Sequence, residues 1–317
     1  MLRCSRLRPL TGSKRLVWVA LPVALLSFSA EAEAAPRSLA AATARLPDTV
    51  DALGTSHFKA VRSTKLFSKL FPALLQEVDE LSDGLSKIKK ACQIDPVAAI
   101  EDVTFAGTTG SDGAVFAGIT GVDEAKAVAC ATKVAKAEMG GNVKAEKVTW
   151  KADGTLYRLS SDKSKDEVFF AWLPGDVVVI ADDPDDKAQL EKMVSGKGAL
   201  KKSKIGGRLG KLDANAALSV VWAKPETFEG KTVKGGDIVV KIESGTVSAD
   251  ATAEMESSKD AQEVVSMIEL AKTFLGKMSP RASVDARASG ANVLIRASIP
   301  EAELIKAIDE AMPKKRR

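Results

Sequence analysis

Two spacings of apolar residues alternate along this chain. Around residues 101–140 a period of two gives way to a period near 3.6. Glu101–Thr108 reads as a strand, Ser111-Asp112-Gly113 as a tight turn and Ala114–Thr120 as the return strand. From about Val122 to Met139 the pattern is helical, with Ala127, Cys130, Ala131 and Val134 at i, i+3, i+4 and i+7, which lines one face of a helix. The same order returns at 237–278. Strands at Asp237–Glu243 and Thr246–Met255 flank a turn at Ser244-Gly245, and a helix follows from about Ser258 to Lys277. Its apolar face is Ala261, Val264, Val265 and Ile268, the same spacing again. Each turn contains Gly, as tight reversals often require. These units are expected to be two copies of one β-β-α repeat.

The remaining pattern is of the same kind. Val50–Thr55 reads as a short strand. Phe67, Leu70, Phe71, Leu74, Val78, Leu81, Leu85 and Ile88 are three or four apart. Pro72 lacks the N–H that a helix interior uses, so the reading is two helices or one kinked helix, about 63–71 and 72–92. Asp95-Pro96 and Asp183-Pro184 each look like a helix start, with Asp as cap and Pro at the first position. Hairpins are expected at Lys147–Ser160 around Asp153-Gly154, at Glu167–Ala181 around Pro174-Gly175 and at Ser283–Ser298 around Ser289-Gly290. Leu200–Leu209 reads as a short basic helix, Ala216–Ala223 as a buried strand and Pro300 to Met312 as the last helix. Antiparallel hairpins with separate helices imply an α+β fold rather than a doubly wound parallel sheet.

The first 35 residues read as a secretory signal peptide. Arg3, Arg6, Arg8, Lys14 and Arg15 form a basic start, Leu16–Phe28 an apolar run and Ala32-Glu33-Ala34 a small-x-small cleavage site. The expected location is periplasmic or secreted. Removal of five basic and two acidic residues leaves 41 Lys+Arg against 40 Asp+Glu, a net of +1. Four of those positives are the terminal Lys314-Lys315-Arg316-Arg317, so the body is slightly acidic. The basic pI of the full chain therefore does not point to nucleic acid, and one Tyr and four Trp give few stacking platforms.

Candidate chemistry is sparse. His57 is the only histidine, so any Ser/His/Asp or Cys/His site would have to use it; a surface or capping role is the expectation. With one His and no Cys-x-x-Cys, no transition-metal site is expected. Asp182-Asp183-Pro184-Asp185-Asp186 is dense in oxygen ligands, but the glycine and distal Glu of a calcium loop are missing, and capping is the reading adopted. Gly196-Lys197-Gly198 and Gly206-Gly207 do not have phosphate-loop spacing. Ser219 and Lys224 form no recognisable Ser/Lys pair, and Lys163, Lys165 and Asp166 read as a solvated loop. No catalytic, cofactor-binding or metal residue is assigned, and no cofactor is expected. The basic tail suits weak contact with an anionic membrane surface.

Leu46-Pro47-Asp48-Thr49 after a signal peptide, then Cys92-Gln93-Ile94-Asp95-Pro96 and a second Cys in a helix, resembles exported bacterial proteins of unknown function from Gram-negative envelopes. The resemblance covers about 46–195 and implies export and repeated α+β units, with no catalytic residues to carry over. The expected organisation is a flexible leader at 36–45, a first repeat domain at 46–195, a second at 199–313 and a basic tail at 314–317, with Ser195–Gly198 as linker. The expected function is non-enzymatic binding or assembly in the envelope, with an envelope protein or apolar ligand as partner. A carrier of lipid or another apolar ligand is the alternative, and a hydrolase with a scattered site is a third.

Cys4 leaves with the leader, so two cysteines remain. Both lie on apolar helical stripes, and an oxidising compartment favours pairing. A Cys92–Cys130 disulfide is expected. N-terminal sequencing of the exported form should begin near Ala35 or Pro36; a mature chain that still starts at Met1 would refute the leader.

Overall fold

The structure is a computed structural model and describes residues 36–109, 112–228 and 230–311. The signal segment and the basic tail lie outside the described residues. In chain order the first half runs α1 (Arg37–Arg45), β1 (Val50–Ser56), α2 (Phe58–Arg62), α3 (Lys65–Glu77), α4 (Asp79–Cys92), α5 (Pro96–Ala99), β2 (Ile100–Thr108), β3 (Gly113–Ile119) and α6 (Glu124–Met139). It continues with β4 (Val143–Val148), β5 (Thr155–Ser161), β6 (Glu167–Leu173), β7 (Val177–Ala181) and α7 (Lys187–Val194). After 3-10 turns at Ala199–Lys202 and Gly206–Lys211 come β8 (Leu218–Trp222), β9 (Glu226–Phe228), β10 (Lys231–Glu243), β11 (Thr246–Met255), α8 (Ser258–Met278), β12 (Ser283–Ser289), β13 (Asn292–Pro300) and α9 (Glu301–Ala311).

The fold is α+β, built on one 13-stranded antiparallel sheet. Its order is β12-β13-β11-β10-β8-β1-β2-β3-β7-β6-β5-β4, with β9 beside β10. The expected boundary at 195–198 therefore does not separate two sheets. β1 pairs with β8 in the middle, Leu53 opposite Val221 and Thr55 opposite Ser219. All seven residues of β1 are buried.

Other expectations need correction. Residues 36–45 are not a flexible leader: they contain α1, with Ala41 and Ala42 buried against the sheet. Small side chains that suggest flexibility are what let a helix lie close to β2 and β3. Its start is pinned where Ser38 N donates to Asp102 Oδ1 at 2.7 Å and Arg37 pairs with Glu101 at 2.8 Å. Pro72 does not divide a helix, since α3 runs through it and the break comes at Val78, in a non-helical conformation. A proline removes one N–H bond, and α3 tolerates that loss. Leu200–Leu209 forms 3-10 turns rather than an α-helix. Ser195–Gly198 is no free linker, because Gly196 N and Gly198 N donate to Arg45 O and Ala44 O and close the end of α1. A Cβ on Gly196 would lie 2.2 Å from Leu46 O, so glycine is required by contact.

The two faces of the sheet differ. On one, α1, α7 and the 3-10 turns cover Leu53, Phe116, Val179 and Val221. This α1 face turns polar across the sheet. One register row there reads Val179, Phe116, Thr104, Thr55, Ser219, Val239, Asp250, Arg296, Asp285. Past β8 the row meets water, as one face of an antiparallel sheet can. Arg296 and Asp250 pair at 2.8 Å with both side chains exposed.

On the opposite face the neighbouring row never turns polar. It reads Ile180, Val115, Phe105, Gly54, Val220, Ile238, Ala251, Ile295, Ala286 over nine strands. α6 packs on one end, through Ala127, Val128, Ala131 and Ala135 against Tyr157, Phe170 and Trp172. α8 packs on the other, through Ala261, Val264, Val265 and Ile268 against Met255, Val293 and Ile295. In this row Gly54 is a packing site for an aromatic ring: a Cβ there would lie 2.0 Å from Phe105 Cζ. Trp222 lies over Gly236 in the same way, at 2.6 Å.

Gly54→Ala should displace the Phe105 ring and destabilise the fold by about 1–3 kcal/mol, the usual cost of overpacking. Urea unfolding measures this, and adding Phe105→Leu should recover part of the loss. An unchanged midpoint in Gly54→Ala would show that the ring does not depend on the glycine.

Candidate functional site

The region between α6 and α8 is the candidate site. Its floor is the apolar row described above. Val115, Val220 and Ile238 there are half-buried, and Ile180 is 43% exposed. Val103, Ala117, Val178 and Val240 lie on the same face beside them and are also half-buried. A sheet face this apolar is normally sealed by helices. Here the helices seal the two ends, and the floor between them is only partly covered.

The helical hairpin α3–α4 connects the two sides. Its base belongs to the α9 side. Leu66 and Leu70 pack with Ile242, Val247 and the α9 residues Leu304, Ile305 and Ile308. Leu66 N donates to the buried Glu301 Oε1 at 2.7 Å, and Lys69 pairs with Asp309 at 2.7 Å. Phe67 stacks on Phe71 at 4.6 Å and meets Phe58 edge-on at 5.7 Å, arrangements favoured by ring quadrupoles. The far end is fastened to α6. Cys92 and Cys130 form the expected disulfide, with Cα atoms 5.1 Å apart, and Lys87 pairs with Glu138. The bridge spans 38 residues, and a loop of that size gives about 3–4 kcal/mol by chain-entropy estimates.

Between these anchors the hairpin carries Leu74, Leu75, Val78, Leu85 and Ile88, all half-buried, and Leu81 at 37% exposure. These six stand outside the clusters that form the core among the described residues. A pair of helices anchored at both ends, with its middle apolar residues only partly buried and outside these clusters, forms a strap on the apolar face.

The start of α6 is fixed by a cap and by one part-buried hydrogen bond. Asp123 accepts from Lys126 N at 2.8 Å, which satisfies an otherwise unpaired first-turn N–H. Tyr157 Oη donates to Glu124 Oε1 at 2.5 Å. Burial, followed by this contact with Glu124, raises the Tyr157 phenol to about 12. The Tyr157 hydrogen bond is the main reason the Glu124 carboxyl sits below its ordinary range.

The residues singled out from sequence do not converge here. His57 occupies the position before α2 and makes no side-chain capping bond. Asp186 does cap, accepting from Ala188 N and Gln189 N, so α7 starts three residues later than Asp183-Pro184 suggests. Asp183 accepts from Asp185 N within the preceding turn. Burial, with Asp183 and Asp166 nearby, pushes the Asp185 carboxyl up. Ser219 is fully buried and accepts from Asp213 N at 2.9 Å, while Lys224 pairs with Glu226 at 3.5 Å. A separate cleft of about 460 Å³ lies at the end of α1, lined by Arg45, Lys151, Asp153, Ser195 and Lys197 among others; Arg45 there is already paired with Asp153 at 2.5 Å. The strap residues were visible in sequence as a helical stripe. That stripe could not show which of them reach a core.

No protein-family model matches the chain, and no curated protein sequence matches it. Among solved structures, crystal form I of TP0453 aligns with a TM-score of 0.47 at 8% identity, over 85% of this chain and 96% of that one. Crystal form III of TP0453 aligns at 0.46 and 9% identity, over 88% and 100%. Scores below 0.5 at such identity carry no functional weight, so the reading rests on this chain's own residues. No helix among the described residues is long and apolar enough to cross a membrane.

The chain's one tyrosine makes the α6 contact measurable. Absorbance titration at high pH should show a midpoint near 12 in the folded protein, against about 10 for a free phenol. The raised value means that this contribution to stability is complete below about 10 and is lost as pH rises towards 12. For Glu124, with its lowered value, the contribution is present above the ordinary carboxyl range and lost as pH falls through it. Glu124→Gln should bring the tyrosine midpoint down; a midpoint near 10 in the parent protein would show that the contact is not formed.

Proposed function

We propose that this chain is an exported, non-enzymatic binding protein that carries an apolar ligand of the acyl-chain class in the trough beside the α3–α4 strap. The observation that carries the reading is the uninterrupted apolar row on the α6 face, partly uncovered between its two helices. Each methylene moved from water into such a site gains about 0.8 kcal/mol, so a chain of several carbons gives useful affinity without a charged recognition group. Ligand sites of this kind are mostly apolar and lie between packed elements.

Several sequence expectations belong to the same reading. The leader directs export to the periplasm or beyond, where the cysteines oxidise, and the chain groups with the exported bacterial proteins that it resembles. The units β2-β3-α6 and β10-β11-α8 are copies of one ancestral piece. In support, both helices lie on the same sheet face. The basic tail makes weak contact with an anionic membrane surface. Assembly with an envelope protein is the second reading, favoured by Met267 and Leu270 of α8, which are 41% and 70% exposed.

A polyene fatty acid whose fluorescence rises in apolar surroundings tests the carrier. It should bind the mature protein saturably. Val220→Asp and Ile238→Asp should each weaken binding at least tenfold, a change of about 1.4 kcal/mol, with the circular dichroism unchanged. Absence of saturable binding in the parent protein would overturn the carrier.

A further inference from the structure

We infer that the α3–α4 strap is the gate of this trough and that the Cys92–Cys130 disulfide is its latch. The inference rests on the carrier reading above and adds what controls release. The two ends of the strap are held differently. The base is non-covalent but extensive: Leu66, Phe67 and Leu70 are buried, and Glu301 and Asp309 of α9 bind it. The far end meets α6 through the disulfide and the Lys87–Glu138 pair. Lys87 and Glu138 are 42% and 51% exposed, and an ion pair in that setting holds weakly. The covalent bridge is therefore the stronger tie between the strap and α6. The strap's middle apolar residues remain half-buried, and Leu81 is exposed. Among the described residues none of these side chains belongs to a buried cluster, so once the bridge opens the strap keeps only its part-buried contact with α6.

The chemistry of opening is thiol–disulfide exchange. A dithiol reductant gives two electrons and two protons. The Cys92–Cys130 sulfur–sulfur bond breaks to two thiols, and the reductant closes its own disulfide. α4 can then part from α6 along its length, while its end stays tethered through residues 93–95 to α5 and β2. The floor belongs to β-strands that do not depend on the bridge for pairing. Reduction should therefore speed ligand exit and leave the sheet intact.

The experiment uses the mature protein loaded with the polyene fatty acid. Release is followed by stopped-flow mixing with excess phosphatidylcholine vesicles. The oxidised protein, the same protein reduced with dithiothreitol, and Cys92→Ser/Cys130→Ser are compared, with circular dichroism on each. The expected result is release at least fivefold faster in the reduced protein and in the variant, with unchanged circular dichroism. Equal release rates overturn the latch and leave the carrier standing. Loss of the circular dichroism signal on reduction also overturns it, by making the bridge a requirement of the fold. If the double variant alone misfolds, the reduced parent chain decides. No binding by the oxidised protein overturns the carrier itself.

Discussion

Antiparallel pairing of β1 with β8 is the contact on which the whole architecture depends. It joins strands about 165 residues apart in sequence and turns two sets of hairpins into one sheet. Both strands lie inside the sheet, so neither half has a free edge there to expose. The pairing also aligns the register across the molecule. Because side chains alternate strictly, a slip of one residue at this seam would exchange the faces. It would set Thr55 and Ser219 among apolar neighbours and turn Val220 towards α1.

The pairings that flank this seam, β1 with β2 and β8 with β10, are specified by their own contacts. On the α1 face, Ser38 Oγ lies 2.8 Å from Thr104 Oγ1, and Thr104 donates to Thr55 at 3.1 Å. All three residues are fully buried. Hydroxyls at such depth cost free energy unless they find one another, and only this register brings them together. On the opposite face, Phe105 and Trp222 fill the spaces over Gly54 and Gly236. Glycine weakens a strand interior, but here each provides the volume that a ring occupies. Polar matching and ring-over-glycine packing select the same β1–β2 register on opposite faces, and a second ring over glycine fits β8 to β10.

Much of the local structure was legible because the apolar periods are long and clean. The hairpins at β2–β3 and β10–β11 and the helices α6 and α8 follow from spacing, and Cys92 and Cys130 are the two cysteines left once the basic, apolar start of the chain is set aside. What was not legible depends on distant partners. Residues 36–45 have the alanines of a helix but only Leu39 as a large apolar side chain, so no amphipathic stripe shows, and α1 is placed by Asp102, Glu101 and the sheet that receive it. A boundary after α7 looked natural from composition, yet the β1–β8 pairing crosses it. At Gly54 and Gly236 the sequence shows only a strand with a gap, since the ring that fills each gap comes from a neighbouring strand. The strap was read as a helical stripe, but a stripe alone does not distinguish residues that enter a core from those left beside an open floor.

That distinction is also why the α6 face carries function more readily than the α1 face. Burial on the α1 face is nearly complete where it is apolar, and the rest is polar and solvated, so neither part has apolar area left to offer a ligand. The α6 face leaves Val115, Val220 and Ile238 only partly buried on either side of the fully buried β1 and Phe105, where a fold optimised for stability alone would cover them. α6 and α8 are too far apart on a sheet of this width to meet over its middle strands. Closing the gap would take another helix pair packed into the floor. The chain has such a pair in α3–α4, and anchors it at its two ends instead of burying its middle.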